Sequence, residues 1–217
     1  MKMARILIAD DHELMRDGIK ARIQGQPGWQ ICAETDNGRD AVELAIQLKP
    51  DVVVMDISMP ELNGFEATRQ IRNACPEIEV LILSFQESDD LIWKTLAAGA
   101  RGFVLKTDAA RLIILAIEAL LNHAPFFTRK VSQLVLDGYL DPNAIDKSDG
   151  AFTRLTSRER EIVQLLAEAR TSKEIAAKLG VSVKTIEAHR ANVMRKLNLH
   201  SVAELVRYAV RNKIIEA

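Results

Sequence analysis

The residues of this chain whose types and spacing could do chemistry are mostly acidic and lie in its first half. Asp10 and Asp11 follow the apolar run Ile6-Leu7-Ile8-Ala9, and Asp56 follows Val52-Val53-Val54-Met55. Ser84 follows Leu81-Ile82-Leu83, and Lys106 follows Phe103-Val104-Leu105. If those runs are strands of one parallel sheet, the groups beyond them share a rim, because such sheets bind ligands outside their carboxyl ends. Carboxylates gathered there repel, a pair at ~4 Å by roughly 4 kcal/mol at an effective dielectric of about 20. Lys106 supplies one compensating charge and a hard divalent cation two, and an all-oxygen pocket suits Mg²⁺. Such a pocket fits phosphoryl transfer: cations neutralise the phosphoryl oxygens while one carboxylate attacks in line. Asp56, single and central, is the expected nucleophile. Taken alone, each Asp is as readily a turn former or helix cap and Lys106 a solvated charge. Their coincidence at successive strand ends favours the pocket.

The elements that must hold these groups are βα units. Strands are expected near 5–9, 30–33, 52–55, 80–83 and 102–105, with helices between and after them. Pro50, Pro60, Pro76, Gly99 and Gly102 fall at the breaks, where helix and strand breakers belong. A short helix expected at 128–140 runs into DPNAIDKSDG, a linker composition. The expected division is therefore a first domain over 1–122, a helix and flexible linker over 123–153, and a second domain over 154–217.

Charge divides the chain in the same place. The 217 residues carry a net charge of -1, yet residues 1–122 sum to -6 and residues 151–217 to +6, the latter without an aspartate. A basic domain attracts polyanions regardless of sequence. Cys32 and Cys75 lie far apart without metal-ligand spacing, so both read as buried thiols of a reducing compartment. The short apolar run of MKMARILIADD meets two carboxylates at once, which argues against a signal peptide or membrane span and for a cytoplasmic chain with no membrane partner.

In the second half, Thr156 precedes Arg158, Glu159 and the apolar Ile162, Leu165 and Leu166, the pattern of a capped amphipathic helix. Further on, SKEIAAKLGVSVKTIEAHRANVMRKL places Gly180 between two helices of unequal length, a helix-turn-helix pattern. Ser182 is the expected cap of the second, and Ile186, Val193 and Leu197 share its inward face. Lys184, Ala188, Ala191 and Arg195 point outward, flanked by Thr185, Glu187, Asn192 and Lys196. Small alanines there let the helix backbone sit deep in the major groove of double-stranded DNA. A similar basic face on a plain helix pair would only be solvated. The last helix carries Val202, Leu205, Val206, Ala209 and Val210 on one stripe, most of it expected in the core.

LIADD, VVVMDISMP, LILS and GARGFVLK together resemble the receiver domain of bacterial response regulators, over residues 4–122. LTSREREI, SKEIAAKLGVSVKTIEAHRANVMRKL and the helix after them resemble the DNA-binding domain of the LuxR, NarL and FixJ regulators, with TIEAHRANVM nearest the FixJ side. The implied fold is an α/β receiver with a five-stranded parallel sheet, flavodoxin- or CheY-like, followed by an all-α four-helix domain. The implied function is a two-component response regulator, a bacterial transcription factor whose Asp56 is phosphorylated by a sensor histidine kinase. By the same resemblance Asp11, Asp56 and the Ser58 backbone carbonyl hold Mg²⁺, Asp10 reaches it through water, and Lys106 binds the phosphoryl oxygens. Ser84 and Phe103 match the switch pair, and the last helix the dimer contact of a homodimer formed on phosphorylation or DNA binding.

Two departures stand out. Thr107 follows Lys106 where many receivers have proline, and Glu187 and Ala191 stand where some NarL-like members carry lysine, so base contacts do not carry over. Position 58 is Ser rather than a second Asp, which argues against a turnover phosphohydrolase; the expected chemistry is limited to the receiver's own phosphorylation and dephosphorylation. A constitutive DNA-binding protein using its receiver only for docking or dimerisation is the rival reading, and the intact acidic rim argues against it.

Overall fold

A computed structural model describes residues 3–140 and 155–215. Its short β-branched runs form five strands: β1 (Ala4–Ala9), β2 (Trp29–Thr35), β3 (Val52–Asp56), β4 (Glu79–Ser84) and β5 (Gly102–Leu105). They pair in the order β2-β1-β3-β4-β5, every pairing parallel. β3 and β4 are buried along their whole length, as strands covered on both faces must be. All five expected strands are present. The second reaches further than its apolar residues suggest, to Glu34 and Thr35, because at a sheet edge backbone pairing with β1 suffices.

Helices α1 (Glu13–Gln24) and α5 (Ala109–Leu121) cover one face; α2 (Gly38–Leu48), α3 (Gly64–Ala74) and α4 (Asp89–Ala97) cover the other. Ile19, Ile23, Ile113 and Ile117 pack on Ile6, Ile8, Val54 and Leu83, while Ala41, Phe65, Ile71 and Leu91 pack on Leu7, Val53, Met55 and Ile82. The chain reverses direction across the sheet between β1 and β3. A crevice opens at that switch point, outside the strand ends.

The next helix, α6 (Arg129–Leu140), packs on the first domain. Phe103 N donates to the Phe126 carbonyl at 3.0 Å and Phe126 N to that of Arg101 at 2.9 Å. Val131 is fully buried in the core between the sheet and α2–α4. The stretch DPNAIDKSDG lies outside the described residues.

The second half is helical: α7 (Ser157–Ala167), α8 (Ser172–Leu179), α9 (Val183–Leu197) and α10 (Val202–Arg211). Thr156 and Glu159 form a reciprocal capping box on α7, Thr171 and Glu174 another on α8, and the Ser182 side chain caps α9, each satisfying amides that a helix start leaves without partners. Gly180 ends α8 at φ 65°, a left-handed conformation costly to any residue with a Cβ. Ile162, Leu165, Ile175, Ile186, Val193 and Leu205 make the core. The expected apolar stripe of α10 is only partly internal: Leu205 and Ala209 are buried, whereas Val202 is 45% exposed and Val206 and Val210 half-buried. The cysteine expectation also needs correcting. Cys75 is buried, but Cys32 is only half-buried, on edge strand β2.

Candidate functional site

β1 and β3 are adjacent and in register, with Ala9 opposite Met55, so Asp10, just after β1, and Asp56, the last residue of β3, emerge side by side. Both are buried, at 0% and 2% exposure. β5 delivers Lys106 to the same point: its Nζ lies 2.9 Å from Asp10 Oδ2 and 2.9 Å from Asp56 Oδ2, and it donates to Asp10 Oδ1 at 3.0 Å. Gly64 lets the loop after β3 return tightly, its amide donating to the Ile57 carbonyl at 2.8 Å. A Cβ there would stand 2.0 Å from the Asp56 carbonyl oxygen.

One ammonium shared between two carboxylates leaves the pocket short of positive charge. The buried Asp10 Oδ2 and Asp56 Oδ2 accept no aligned hydrogen bond, which leaves their desolvation incompletely repaid. Burial, opposed by Lys106 and reinforced by Asp10 and Asp11, holds the Asp56 carboxyl up at about 7. Asp10, Asp11, His12 and Asp56 offer ligand atoms all within 4.8 Å of one another, and Ser58 lines the same cavity as Asp56. Hard oxygen donors, several of them anionic, are the set that a small divalent cation takes. The donor set therefore fits Mg²⁺.

The structure adds residues that the strand-end pattern did not single out. His12 Nδ1 stands 2.7 Å from Asp11 and 3.4 Å from Asp10. Its ring meets Phe85 edge to face, with centroids 5.6 Å apart, and Lys106 Nζ lies 4.8 Å from the Phe85 ring centre. Phe85, 52% exposed, is the aromatic at the pocket mouth. The two expected switch residues are placed differently from each other. The Ser84 hydroxyl donates to the Gln86 carbonyl at 2.7 Å and accepts from its amide at 3.0 Å. Phe103 is fully buried in the core between the sheet and α2–α4.

On α9, Lys184, Thr185, Glu187, Ala188, Ala191, Arg195 and Lys196 are exposed and Asn192 half-buried. The inward face is as expected: Ile186 and Val193 are buried and Leu197 packs against them. Four polar members of the outward set already have partners, Thr185 among them through Ser182 Oγ at 2.8 Å. Lys196 Nζ donates to Glu159 Oε2 at 2.7 Å, and Arg195 donates to Asn192 Oδ1 at 2.8 Å.

A parallel sheet in this strand order, with acids ending β1 and β3 and a buried lysine ending β5, defines a response-regulator receiver. The receiver-domain profile matches residues 6–118, and that of the bacterial regulatory proteins of the luxR family matches residues 153–209. This chain belongs to the response regulators that carry a luxR-type DNA-binding domain, which are phosphorylation-controlled transcription regulators. It is 34% identical to the oxygen regulatory protein NreC of Staphylococcus epidermidis over 98% of this chain and 99% of the relative. It is 35% identical to the transcriptional regulatory protein LiaR of Bacillus subtilis over 98% of this chain and 100% of the relative. Among solved structures, RcsB of Salmonella typhimurium superposes with a TM-score of 0.62 at 25% identity, covering 98% of this chain and 99% of RcsB. An RcsB–DNA complex superposes at 0.56, with 25% identity and 96% and 98% covered. Among the described residues no helix is long and apolar enough to cross a membrane.

Proposed function

We propose that Asp56 accepts a phosphoryl group from a sensor histidine kinase and that this controls DNA binding through α9. The observation that carries the reading is Lys106, fully buried and 2.9 Å from both Asp10 and Asp56. A buried ammonium held there is placed for the equatorial oxygens of a phosphoryl group on Asp56. In the transfer an Asp56 carboxylate oxygen forms the new P–O bond, the P–N bond to the donor imidazole breaks, and the departing imidazole keeps its electron pair and takes a proton. Asp11, Asp56 and the Ser58 carbonyl would hold Mg²⁺ directly, with Asp10 reaching it through water. Bound there, the ion neutralises the charge that develops on the phosphoryl oxygens. No second catalytic acid stands at position 58, which favours self-limited phosphorylation and dephosphorylation over turnover.

After transfer, the Ser84 hydroxyl leaves Gln86 for the phosphoryl group. Phe103, already internal, fills the space behind it. The signal passes to α9, whose Lys184, Thr185, Glu187, Ala188, Ala191, Asn192, Arg195 and Lys196 face the major groove. The half-exposed stripe of Val202, Val206 and Val210 favours α10 as the contact of a homodimer, which sets two α9 helices about one DNA turn apart. The working division is a receiver over 1–122, a helix and linker over 123–153 and a DNA-binding domain over 154–217, in a cytoplasmic protein.

The test is DNA affinity together with mass by light scattering, with and without beryllofluoride and Mg²⁺, for wild type and Asp56→Ala. Tighter binding and dimerisation in wild type alone support the reading. The same affinity and mass in every sample refute phosphorylation control.

A further inference from the structure

Polar residues of α7 that would ordinarily face solvent are buried against the receiver. Gln164 is fully buried: its Oε1 accepts from Asn63 N at 2.6 Å and Asn63 Nδ2 at 3.1 Å, and its Nε2 donates to the Met59 carbonyl at 2.9 Å. Arg160 Nε donates to Glu66 Oε2 at 2.7 Å with both side chains buried. Around this centre Arg39 pairs with Glu161 and Lys178 with Glu61. Apart from Arg39, the receiver groups in these contacts belong to the loop and helix that follow Asp56.

At the other end of the interface the turn after α10 reaches the pocket itself. Lys94 Nζ donates to the Asn212 carbonyl at 3.1 Å. Lys213 lines the same cavity of about 40 Å³ as Asp56, Ser58, Ser84 and Gln86. Ile214 and Ile215 line the neighbouring hollow with Asp11, Ser58 and Met59. Lys213 sits at φ 56°, a left-handed conformation unfavourable for a residue with a Cβ. Its amide is tied to the Val210 carbonyl at 3.0 Å, and that of Ile214 to Ala209 at 2.9 Å.

We propose that the turn after α10, Lys213 foremost, is a removable wall of the phosphorylation pocket, so that domain docking and phosphoryl acceptance at Asp56 exclude each other. The proposal rests on Asp56 being the acceptor. In the docked chain Lys213 stands in the wall of a pocket that Asp56 also lines. A donor group with its carrier needs more than the space left, so phosphorylation proceeds from the undocked fraction and is slowed by that fraction. Linkage makes the effect reciprocal: a phosphoryl group on Asp56 weakens docking by the factor by which docking weakens acceptance. Docking leaves Lys184, Ala188, Ala191 and Arg195 exposed. What it covers is the entrance for phosphate.

The experiment uses the full chain with Mg²⁺ and acetyl phosphate, following labelling on phosphate-affinity gels and α7 by amide hydrogen exchange. Arg39→Glu with Glu61→Lys reverses the two charges that face Glu161 and Lys178 without entering either core. This double variant is expected to label on the order of tenfold faster, with faster exchange in α7. Lys213→Ala is expected to label several-fold faster with α7 exchange unchanged, since only the wall is trimmed. Beryllofluoride is expected to speed α7 exchange in wild type. Equal labelling rates in all three chains, or α7 exchange in wild type unmoved by beryllofluoride, overturn the proposal. Labelling that persists in Asp56→Ala, or is absent from every chain, overturns the acceptor reading and the proposal with it.

Discussion

At the scale of single residues, Asp56 is held at a cost. Replacing it with Asn removes one of the crowded carboxylates while Lys106 keeps Asp10 as its partner. Asp56→Asn is expected to abolish phosphoryl labelling yet raise metal-free stability at neutral pH by roughly 1–2 kcal/mol, read by urea denaturation. A loss of stability would show that the carboxylate is structural. Lys196 offers a second case. Burial raises the Glu159 carboxyl, but the Lys196 ammonium and the Thr156 donors outweigh it and hold it below the ordinary value of 4.5. A lowered carboxyl pKa contributes stability above the unfolded value that is lost as pH falls through the folded one. Lys196→Met is therefore expected to cost about 0.5–1 kcal/mol at pH 7, reduced by solvent screening of a partly exposed lysine. The difference from wild type should vanish once pH drops below the range where Glu159 titrates. Because Lys196 is already held in an ion pair with Glu159, its loss should weaken DNA binding less than Lys184→Ala. Removing a phosphate-binding charge lowers the salt slope of log affinity by about 1.

At the scale of elements, two glycines separate conformational strain from collision. Gly180→Ala meets nothing within 4 Å, so its cost is the left-handed backbone alone, about 1 kcal/mol, confined to melting of the DNA-binding half. Gly64→Ala drives a Cβ into the Asp56 carbonyl. It is expected to cost on the order of 3 kcal/mol or more and to slow phosphoryl labelling, because the loop that positions Asp56 and Ser58 must move. Equal effects of the two substitutions would contradict this account. The elements were largely legible in the sequence because strand, turn and cap each leave a local mark: β-branched runs, Gly180, Thr156 and Ser182. The pocket was legible for the same reason, its acids standing directly after strands. His12 and Phe85 were not, since their role depends on which loops the strand order brings together. Nor was the docking surface. Nothing local marks Arg160, Glu161 and Gln164 as internal, because the groups that bury them, Glu66, Arg39, Asn63 and Met59, lie about a hundred residues away. The stripe on α10 misled in the opposite direction, because apolar periodicity marks a face to be covered without saying whether the same chain covers it.

At the scale of the whole molecule, the acidic and basic halves meet through paired charges and one fully buried amide side chain, while the outward face of α9 stays clear. Disrupting the amide's contacts with Gln164→Ala leaves buried groups of Asn63 and Met59 without partners, at about 1–3 kcal/mol. The two halves are then expected to unfold in separate steps by calorimetry, where wild type unfolds in one. A single unchanged transition would mean that docking contributes little to cohesion. The open face of α9 also bears on where the protein resides before any signal arrives. A basic helix that docking does not hide is free to hold DNA weakly and without regard to sequence, as neutralised phosphates release counterions. If α9 is the DNA-binding face proposed above, the resting population is expected to wait on DNA rather than in free solution, sliding and hopping between sites. The speed of a response would then be set by how fast phosphate reaches molecules already on DNA, and added salt would loosen that hold without altering the switch.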